Sequence, residues 1–330
     1  MIVIIIPVFN ELPEARCARK RGGRGVVLNP PRPLSRVTNS PDCSLQALLA
    51  AIISIVECKY SKDRMRLMLS FDDDSESPIF LQTLKNLDYV APPPGRPVSG
   101  DPLSSEGSHP MTLDIIFRGV RVTICRFPHR GKRLTQGAAY ALAEKRWSVD
   151  LYLFMDSDVQ MHPKALRAFV ADFEARPGRI AATGLIVCSF PTRNLWWILQ
   201  ETEYVQSQML DRCLESACGA VTCLPGALTM VRSEALRKVA PLYFGLKDGN
   251  SVAGVRVSHG VYEHCRYYLG EDRFLTHLFM ESADGPYRIG FVDNALCKTE
   301  APGTFTTLLK QRRRWFLGEN RCWARREERS

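Results

Sequence analysis

The chain of 330 residues is 45% hydrophobic and carries a formal net charge of +9. That length and apolar content exclude disorder along the whole chain, and they allow either one large α/β domain or two smaller ones. The positive charge favours an anionic partner, but charge alone does not choose among a nucleoside diphosphate, a phospholipid surface and a nucleic acid.

Cysteine usage indicates the compartment. Eleven cysteines occur with no CxxC pair and no regular scaffold spacing, which predicts free thiols in a reducing compartment and a domain that faces the cytosol. Cys213, Cys218 and Cys223 recur at a regular interval, but tetrahedral metal sites usually combine closer pairs with a fourth ligand. No run reaches the ~20 apolar residues that cross a bilayer, so we expect no membrane-spanning segment in the sequence as given.

The first predicted element is a buried strand over residues 2–6, which Pro7 ends in a loop that contains Asn10 and Glu11. In an open α/β sheet, ligands bind at the carboxyl edge where such a loop lies. Residues 12–43 then change to Arg, Gly, Pro and Ser without an apolar period. This composition predicts a disordered insert.

Regular structure resumes with a helix for which Ser44 is the predicted N-cap. A second strand over residues 65–71 follows and ends in Asp72-Asp73-Asp74. Residues 113–117 and 120–126 are predicted to pair as a hairpin.

The middle of the chain continues the alternation of helix and strand. Arg130-Gly131-Lys132-Arg133 is predicted to be a basic loop before a helix over residues 136–147, an arrangement that suits phosphate. A buried strand over residues 151–155 ends in Asp156-Ser157-Asp158, and a helical segment is predicted around residues 196–214.

Three predicted strands thus end in acids or in an Asn-Glu pair at one edge of the sheet. Carboxylates that lie this close repel one another, and a shared divalent cation or the donors of a nucleotide would relieve the repulsion. Asp156 and Asp158 stand at i and i+2 on extended backbone, so both reach one site. They are the predicted ligands of Mg²⁺ or Mn²⁺, which would neutralise a diphosphate leaving group.

Lys132 and Arg133 would add positive charge at the same place. Competing interpretations stay open here. Acids that follow strands are often helix N-caps, and a basic pair is often an ordinary solvated turn.

A general base is predicted further along the chain. Sugar transfer with inversion needs a carboxylate that takes the proton of the acceptor, and Asp272 in Gly270-Glu271-Asp272-Arg273 is the best placed by its order. Glu271 and Arg273 would orient or tune it. The alternative is a helix start whose acids merely favour the helix dipole.

A cationic and aromatic cluster follows near the C-terminus. On a helix, Gln311, Arg314 and Trp315 share one face, where arginine suits a phosphate and tryptophan suits the apolar face of a sugar. The alternative is a basic interfacial helix that continues through residues 316–330, and both interpretations can hold together.

The order of these motifs resembles that of one family, the chitin synthases, which are family-2 glycosyltransferases of the GT-A fold. The motifs that carry the resemblance are Pro7-Val8-Phe9-Asn10-Glu11, Asp72-Asp73-Asp74-Ser75, Asp156-Ser157-Asp158, Gly270-Glu271-Asp272-Arg273 and Gln311-Arg312-Arg313-Arg314-Trp315. Cellulose and hyaluronan synthases share versions of most of them. Val221-Thr222-Cys223-Leu224-Pro225-Gly226 and Thr299-Glu300-Ala301-Pro302 narrow the resemblance towards chitin, and it covers most of residues 45–317.

The resemblance implies a single GT-A catalytic domain over residues 1–330, an α/β fold with a Rossmann-like mixed sheet flanked by helices. It implies UDP-N-acetylglucosamine as donor, Mg²⁺ or Mn²⁺ as cofactor, and a β-1,4-linked chain that grows at its non-reducing end. Asp272 would be the base, and Asp158 with Asp156 would hold the metal. The nucleotide and substrate ligands would be Pro7, Glu11, Asp72, Asp73, Lys132, Arg133, Asp156, Gln311, Arg314 and Trp315, and the growing chain would be bordered by Cys223, Leu224, Pro225 and Gly226.

Three features depart from the family pattern. The insert at residues 12–43 interrupts a loop that normally runs directly into the following helix. The chain stops at Ser330, where the family continues into membrane helices, so we expect association with the plasma membrane in the full-length protein, with the catalytic domain facing the cytosol. The acids of Asp72-Asp73-Asp74 match the general family-2 pattern better than the chitin-specific one.

Three alternatives remain at this point. A synthase of the cellulose or hyaluronan type would share most of the motifs, and an inactive truncated product would bind donor without turnover. A non-catalytic basic protein would bind nucleic acid or membrane through residues 312–329. The combined motifs favour the enzyme, and we expect no nucleic-acid partner.

Overall fold

A computed structural model describes residues 1–9, 41–89, 109–189, 195–245, 270–282 and 288–323. Within these residues the strands are β1 (Ile2–Val8), β2 (Met65–Phe71), β3 (Thr112–Phe117), β4 (Val120–Arg126), β5 (Leu151–Met155), β6 (Gln160–Met161), β7 (Ala181–Ser189), β8 (Leu228–Arg232) and β9 (Ile289–Glu300). They form one mixed sheet in the order β3-β4-β2-β1-β5-β8-β7-β9-β6. The predicted α/β class with a mixed sheet is confirmed.

Helices flank this sheet. They are α1 (Pro41–Val56), α2 (Pro78–Asn86), α3 (Lys132–Arg146), α4 (Ala165–Ala175), α5 (Leu195–Val205), α6 (Arg212–Ala217), α7 (Ser233–Phe244), α8 (Glu271–Glu281) and α9 (Phe305–Trp323). A π-helical turn, Gln206–Asp211, joins α5 to α6, and a short 3₁₀ turn, Lys62–Arg64, precedes β2. The helical segment predicted around residues 196–214 is therefore present as α5, the π turn and α6.

The half of the sheet that forms the candidate site is parallel. β4, β2, β1 and β5 lie side by side in one direction, with Ile2 of β1 facing Met65 on one side and Leu151 on the other. Their near-continuous apolar sequence is typical of strands covered on both faces. The predicted hairpin is also confirmed, because β3 pairs antiparallel with β4.

Pro7 does not end the first strand, contrary to our prediction. β1 continues through Pro7 to Val8 along its partner β2, whereas its pairing with β5 stops at Ile5. The Val8 carbonyl accepts from Asp72 on the β2 side, so the Pro7 nitrogen points to the other side. A proline that lacks an N–H costs no ladder hydrogen bond there.

Two helices begin earlier than predicted. α1 begins at Pro41 rather than after Ser44, because proline is tolerated in the first turn of a helix. The other residues of the predicted insert, 12–40, lie outside the described residues. α3 begins at Lys132 rather than near residue 136, because Gly131 adopts a φ of 90° that favours glycine and starts the helix at once.

Alternation along β1 divides the core between the two faces of the sheet. Ile4 and Ile6 belong to a core formed with α1, α2 and α4, while Val3 and Ile5 belong to a second core formed with α3, α7 and α8. Side chains of a strand alternate between faces, so one strand contributes to both cores. The second core is the one that carries α3 and α8 to the candidate site.

The predicted basic tail is not a separate element in its first part. Residues 316–323 continue α9 from the Gln311–Trp315 motif, and residues 324–330 lie outside the described part.

None of the helices described is both long and apolar enough to cross a membrane. Seven cysteines of the described part are free thiols.

We predict that Gly137→Ala destabilises the fold. A Cβ atom on Gly137 of α3 would lie 2.8 Å from the Cβ atom of Phe244, which is fully buried in the second core. Overpacking of this kind costs about 1–3 kcal/mol, which exceeds the roughly 1 kcal/mol by which alanine favours a helix over glycine. Urea denaturation measures the difference.

The matched control is Gly303→Ala, because a Cβ atom there would meet no atom within 4 Å. Equal free energies of unfolding for Gly137→Ala and Gly303→Ala would contradict close packing between α3 and α7.

Candidate active site

The carboxyl ends of β1, β2 and β5 meet at one edge of the sheet. Asp72 directly follows β2, and Asp156 directly follows β5. The N–H group of Asp72 donates to the carbonyl of Val8 at the end of β1 at 3.0 Å. The predicted meeting of the strand ends is thus confirmed, while Asn10 and Glu11 lie outside the described residues.

Asp72 organises the start of α3 from inside the protein. Its side chain is 0% exposed, and its Oδ2 atom lies 2.8 Å from His129 Nδ1. Its Oδ1 atom accepts from the Arg130 N–H at 2.8 Å and from the Thr135 hydroxyl at 2.6 Å, and its Oδ2 atom accepts from the Gly131 N–H at 3.1 Å. A carboxylate at this end of a helix satisfies free N–H groups and suits the helix dipole.

Asp73 differs from its neighbour. A carboxylate accepts about four hydrogen bonds, and Asp72 already has four donors. Asp73 is partly exposed, and its Oδ1 atom accepts from the N–H and hydroxyl groups of Ser75 at 2.9 and 2.6 Å. Of these two predicted nucleotide ligands, Asp73 therefore has the better geometry, and the contact with the nucleotide stays a prediction.

Lys132 joins two acids that come from distant parts of the chain. Its Nζ atom lies 2.7 Å from Asp156 Oδ1 and 3.4 Å from Glu271 Oε1. Burial alone would lower the pKa of Lys132, but Asp156 and Glu271 outweigh that effect and raise the pKa above its usual value. The lysine therefore stays charged, and it connects the first turn of α3 to the end of β5 and to the start of α8.

Gly226 approaches this cluster closely. A Cβ atom at this position would lie 2.6 Å from Lys132 Nζ and 3.7 Å from Asp156 Oδ1. Glycine at this point lets the Pro225-Gly226 backbone lie against the charged pair. The motif predicted to border the growing chain thus adjoins Lys132 and Asp156.

Asp158 lies in an acidic environment. Burial, together with the charges of Asp156 and Glu300, raises the pKa of Asp158 to about 6. The hydroxyl of Thr299 lies 3.4 Å from Asp158 Oδ2, at the far end of a normal hydrogen bond. Buried carboxylates with raised pKa values are common at functional sites, because a bound cation or substrate supplies the missing charge.

Asp272 lies in the first turn of α8, and one contact of Asp272 and one of Thr276 hold α8 against the segment that precedes β8. The Cys223 thiol lies 3.5 Å from Asp272 Oδ2, and the Arg273 N–H donates to Oδ1 at 2.8 Å. The Thr276 hydroxyl accepts from the Leu224 N–H at 2.9 Å. Burial, followed by the charge of Asp272, raises the pKa of Cys223 well above its usual value, so the thiol keeps its proton and can donate.

The Gln311–Trp315 motif lies on α9, which packs against α8. Arg312 connects the motif to α5, because its Nη2 atom donates to Glu203 Oε2 at 2.7 Å. Arg314 is exposed, and the Trp315 side chain is 38% exposed. The motif therefore presents an arginine and an indole to solvent beside the helix that carries Asp272.

Arg133 is a predicted ligand that the structure buries. Its side chain is buried, and its guanidinium donates to the carbonyl of Tyr243 in α7. The early start of α3 explains the difference, since successive residues of a helix point to different faces. Lys132 faces the acids at the edge, while Arg133 packs into the second core.

The sequence match identifies the family. The family model described as chitin synthase matches residues 143–319. Chitin synthase 7 of Pyricularia oryzae is 39% identical over 284 residues, which are 83% of this chain and 32% of that protein. The chain belongs to the chitin synthase family. Chitin synthase 7 of Verticillium dahliae is 40% identical over 282 residues, covering 82% of this chain and 38% of that protein, so the chain spans about a third of the length of these relatives.

The fold agrees with this membership. A mannosyltransferase from Pyrobaculum calidifontis, solved with GDP-Man and Mn²⁺, superposes with a TM-score of 0.50 at 14% sequence identity. The match covers 94% of this chain and 60% of the mannosyltransferase chain. At that identity the likeness shows the fold alone, and the fold of this chitin synthase family member is GT-A.

Three residues of the site were missed by the sequence analysis. Thr276 stands one helical turn after Asp272, so the i, i+4 spacing was the available signal. Glu300 belongs to the Thr299–Pro302 motif, which was used only to narrow the resemblance towards chitin synthases. The charge of Glu300 nevertheless contributes to the raised pKa of Asp158. The sequence pattern assigned Arg312 no role of its own, because its partner Glu203 is distant in sequence and the contact could not be foreseen.

We predict that Asp72→Ala lowers the free energy of unfolding by about 3 kcal/mol, since it removes a buried carboxylate and leaves several donors unpaired. Chemical denaturation measures the effect. Asp74→Ala is the matched control, because Asp74 is exposed and Arg126 contacts its backbone carbonyl, which the substitution keeps. A loss no greater than that of Asp74→Ala would show that Asp72 does not hold the start of α3.

Proposed function

We propose that this member of the chitin synthase family transfers N-acetylglucosamine from UDP-N-acetylglucosamine, with inversion, to the non-reducing end of a growing β-1,4 chain, as a cell-wall chitin synthase. The observation that carries the proposal is the cluster in which Lys132 joins Asp156 to Glu271. A diphosphate needs positive charge, and an acceptor hydroxyl needs a base. Asp158 is two residues from Asp156 and Asp272 follows Glu271, so this cluster would meet both needs in one place.

The acids fit a divalent cation. Asp158 is the freer of the two predicted metal ligands, because Asp156 Oδ1 is already paired with Lys132. Asp156 would serve as the second ligand. In the described part of the chain, no group of three His, Cys, Asp or Glu side chains could hold a metal ion, and in this proposal diphosphate oxygens would complete the coordination. When bound, Mg²⁺ or Mn²⁺ would neutralise the charge that develops on the departing UDP.

Lys132 would bind the diphosphate directly. An ammonium group has three N–H donors, and two of them are directed to Asp156 and Glu271. The third would donate to a phosphate oxygen. Because the two acids hold the ammonium in place, it needs no rearrangement when UDP leaves.

Asp272 would act as the base. As the acceptor 4-hydroxyl oxygen forms its bond to the sugar C1 atom, the bond from C1 to the UDP oxygen breaks, and the hydroxyl proton moves to the Asp272 carboxylate. A single displacement of this kind inverts the configuration at C1. The Arg273 N–H and the Cys223 thiol would orient the carboxylate towards the acceptor hydroxyl.

The remaining predicted elements would bind the polymer and the membrane. Gln311, Arg314 and Trp315 would line the acceptor end, with Cys223, Leu224, Pro225 and Gly226 beside the growing chain. The exposed apolar side chains of α9, among them Phe305, Leu309 and Phe316, together with its arginines, suit the surface of a membrane. We infer that residues 1–330 act as one catalytic domain on the cytosolic face of the plasma membrane.

We predict metal-dependent donor binding. Calorimetric titration with UDP-N-acetylglucosamine and UDP-glucose, each with Mn²⁺ and with chelator, should show binding that requires Mn²⁺ and prefers the N-acetyl sugar. Asp158→Ala should weaken binding by about tenfold or more, since a charge-assisted contact is worth about 1.5–3 kcal/mol.

Asp63→Ala is the control, because Asp63 is exposed before β2, at the opposite end of the strand from Asp72. A folded chain that binds no nucleotide would overturn the proposal. A preference for UDP-glucose would instead favour a synthase of the cellulose type.

We predict that Asp272→Asn separates binding from chemistry. The donor dissociation constant should stay within about twofold of the wild-type value, whereas transfer to soluble β-1,4-linked N-acetylglucosamine oligomers should fall by about 10²-fold or more. Radiolabelled transfer measures the rate, with Asp63→Asn as control. Equal rates in Asp272→Asn and wild type would contradict its role as base, and donor binding by wild type without any transfer would favour the inactive fragment.

A further inference from the structure

Arg312 occupies the centre of a contact network on α9. Its Nη2 atom donates to Glu203 Oε2 of α5 at 2.7 Å, and its Nη1 atom donates to Gln311 Oε1 at 2.9 Å. Its guanidinium carbon lies 4.0 Å from the centroid of the Trp315 ring. One side chain thus contacts two residues of the predicted acceptor end and a third residue on another helix.

We propose that Arg312 is a positioning residue of the acceptor site, which with Glu203 sets the orientation of Gln311 and Trp315. The inference rests on the proposed function, in which Gln311 and Trp315 line the acceptor end. It makes Arg312 a residue that acts through its neighbours rather than a ligand of the diphosphate.

The shape of the guanidinium explains why arginine stands there. Its edge carries several N–H donors in one plane, while its face stacks on an aromatic ring. Arg312 uses the edge for Glu203 and Gln311 and the face for Trp315. A lysine can pair with Glu203, but its single ammonium has no flat face to stack on the indole.

Trp315 needs such a partner. Trp315 is 38% exposed, so part of its surface is open to solvent and to a ligand. A tryptophan that stacks on a sugar has to present its face in a defined direction. Contact with Arg312, which Glu203 in turn holds, limits the directions that are available.

α5 anchors α9 at a second point. Gln200 is buried in α5, and its Nε2 atom donates to the carbonyl of Pro302 at 3.1 Å, just before α9 begins. Glu203 lies about one turn later on α5 and holds Arg312. α5 therefore fixes both the start of α9 and its motif, while α9 packs against α8, which carries Asp272.

Arg313 provides the matched control. It is the next residue on α9, it is exposed, and it takes part in none of the contacts that join Glu203, Gln311 and Trp315. Arg313→Lys keeps the charge and the helix, so any effect of general charge near α9 appears in this variant as well.

The test compares Arg312→Lys, Glu203→Gln and Arg313→Lys in the full chain. For Arg312→Lys and Glu203→Gln we expect the KM for β-1,4-linked N-acetylglucosamine oligomers to rise by about tenfold, since a small misplacement of a binding group can cost that much. The dissociation constant of UDP-N-acetylglucosamine should change less than twofold. The acceptor KM of the double variant, Arg312→Lys with Glu203→Gln, should be no higher than that of the more affected single variant, because the two residues act as one unit.

A direct role in diphosphate binding has the opposite signature. Donor binding would then weaken in Arg312→Lys and stay unchanged in Glu203→Gln. That result, or a similar rise in the acceptor KM for Arg313→Lys, would overturn the proposal.

Fluorescence tests the positioning without any activity. The Trp315 signal is obtained as the difference between each variant and the same variant with Trp315→Phe. Its quenching by acrylamide should increase in Arg312→Lys and Glu203→Gln but not in Arg313→Lys. If wild type bound no donor, the proposed function would fail, and unchanged quenching would separately refute the role of Arg312.

Discussion

The candidate site depends on one partly buried ammonium group that two carboxylates share. Lys132 lies between Asp156 at the end of β5 and Glu271 at the start of α8, two elements that are far apart in sequence. Two acids brought together without a cation would repel each other, and the lysine converts that repulsion into attraction. Lys132 therefore joins the sheet edge to the start of the helix that carries Asp272, in addition to the packing of that helix in the second core.

A series of contacts leads outward from Lys132. Asp72 holds the start of α3 and so sets the position of the lysine, and Gly226 leaves room for its ammonium group. On the other side, the first turn of α8 holds the Cys223-Leu224 segment. Asp158 differs from these acids, because burial and the charges of Asp156 and Glu300 raise its pKa to about 6. Structure is stabilised by the paired acids, and the acid with the raised pKa is the one that suits a ligand.

Much of this could be predicted from the sequence, because it follows from local pattern. Buried apolar runs that end in Asp72 or Asp156 predicted parallel strands with acids at one edge, and the structure has them. Contacts between residues that are distant in the chain could not be predicted from that local pattern. The sequence could not indicate that Asp72 faces inward to the start of α3, that Arg133 is buried against Tyr243, or that Pro7 continues the strand. Each of these outcomes depends on a partner distant in the chain.

The donor diphosphate is proposed to lie against Lys132 and Asp158. Anomalous diffraction from crystals grown with UDP and Mn²⁺ tests this placement most directly. We expect a manganese peak beside the carboxylate of Asp158, with a phosphate oxygen within hydrogen-bonding distance of Lys132 Nζ. A manganese ion or a UDP diphosphate bound away from Asp158 and Lys132 would contradict it.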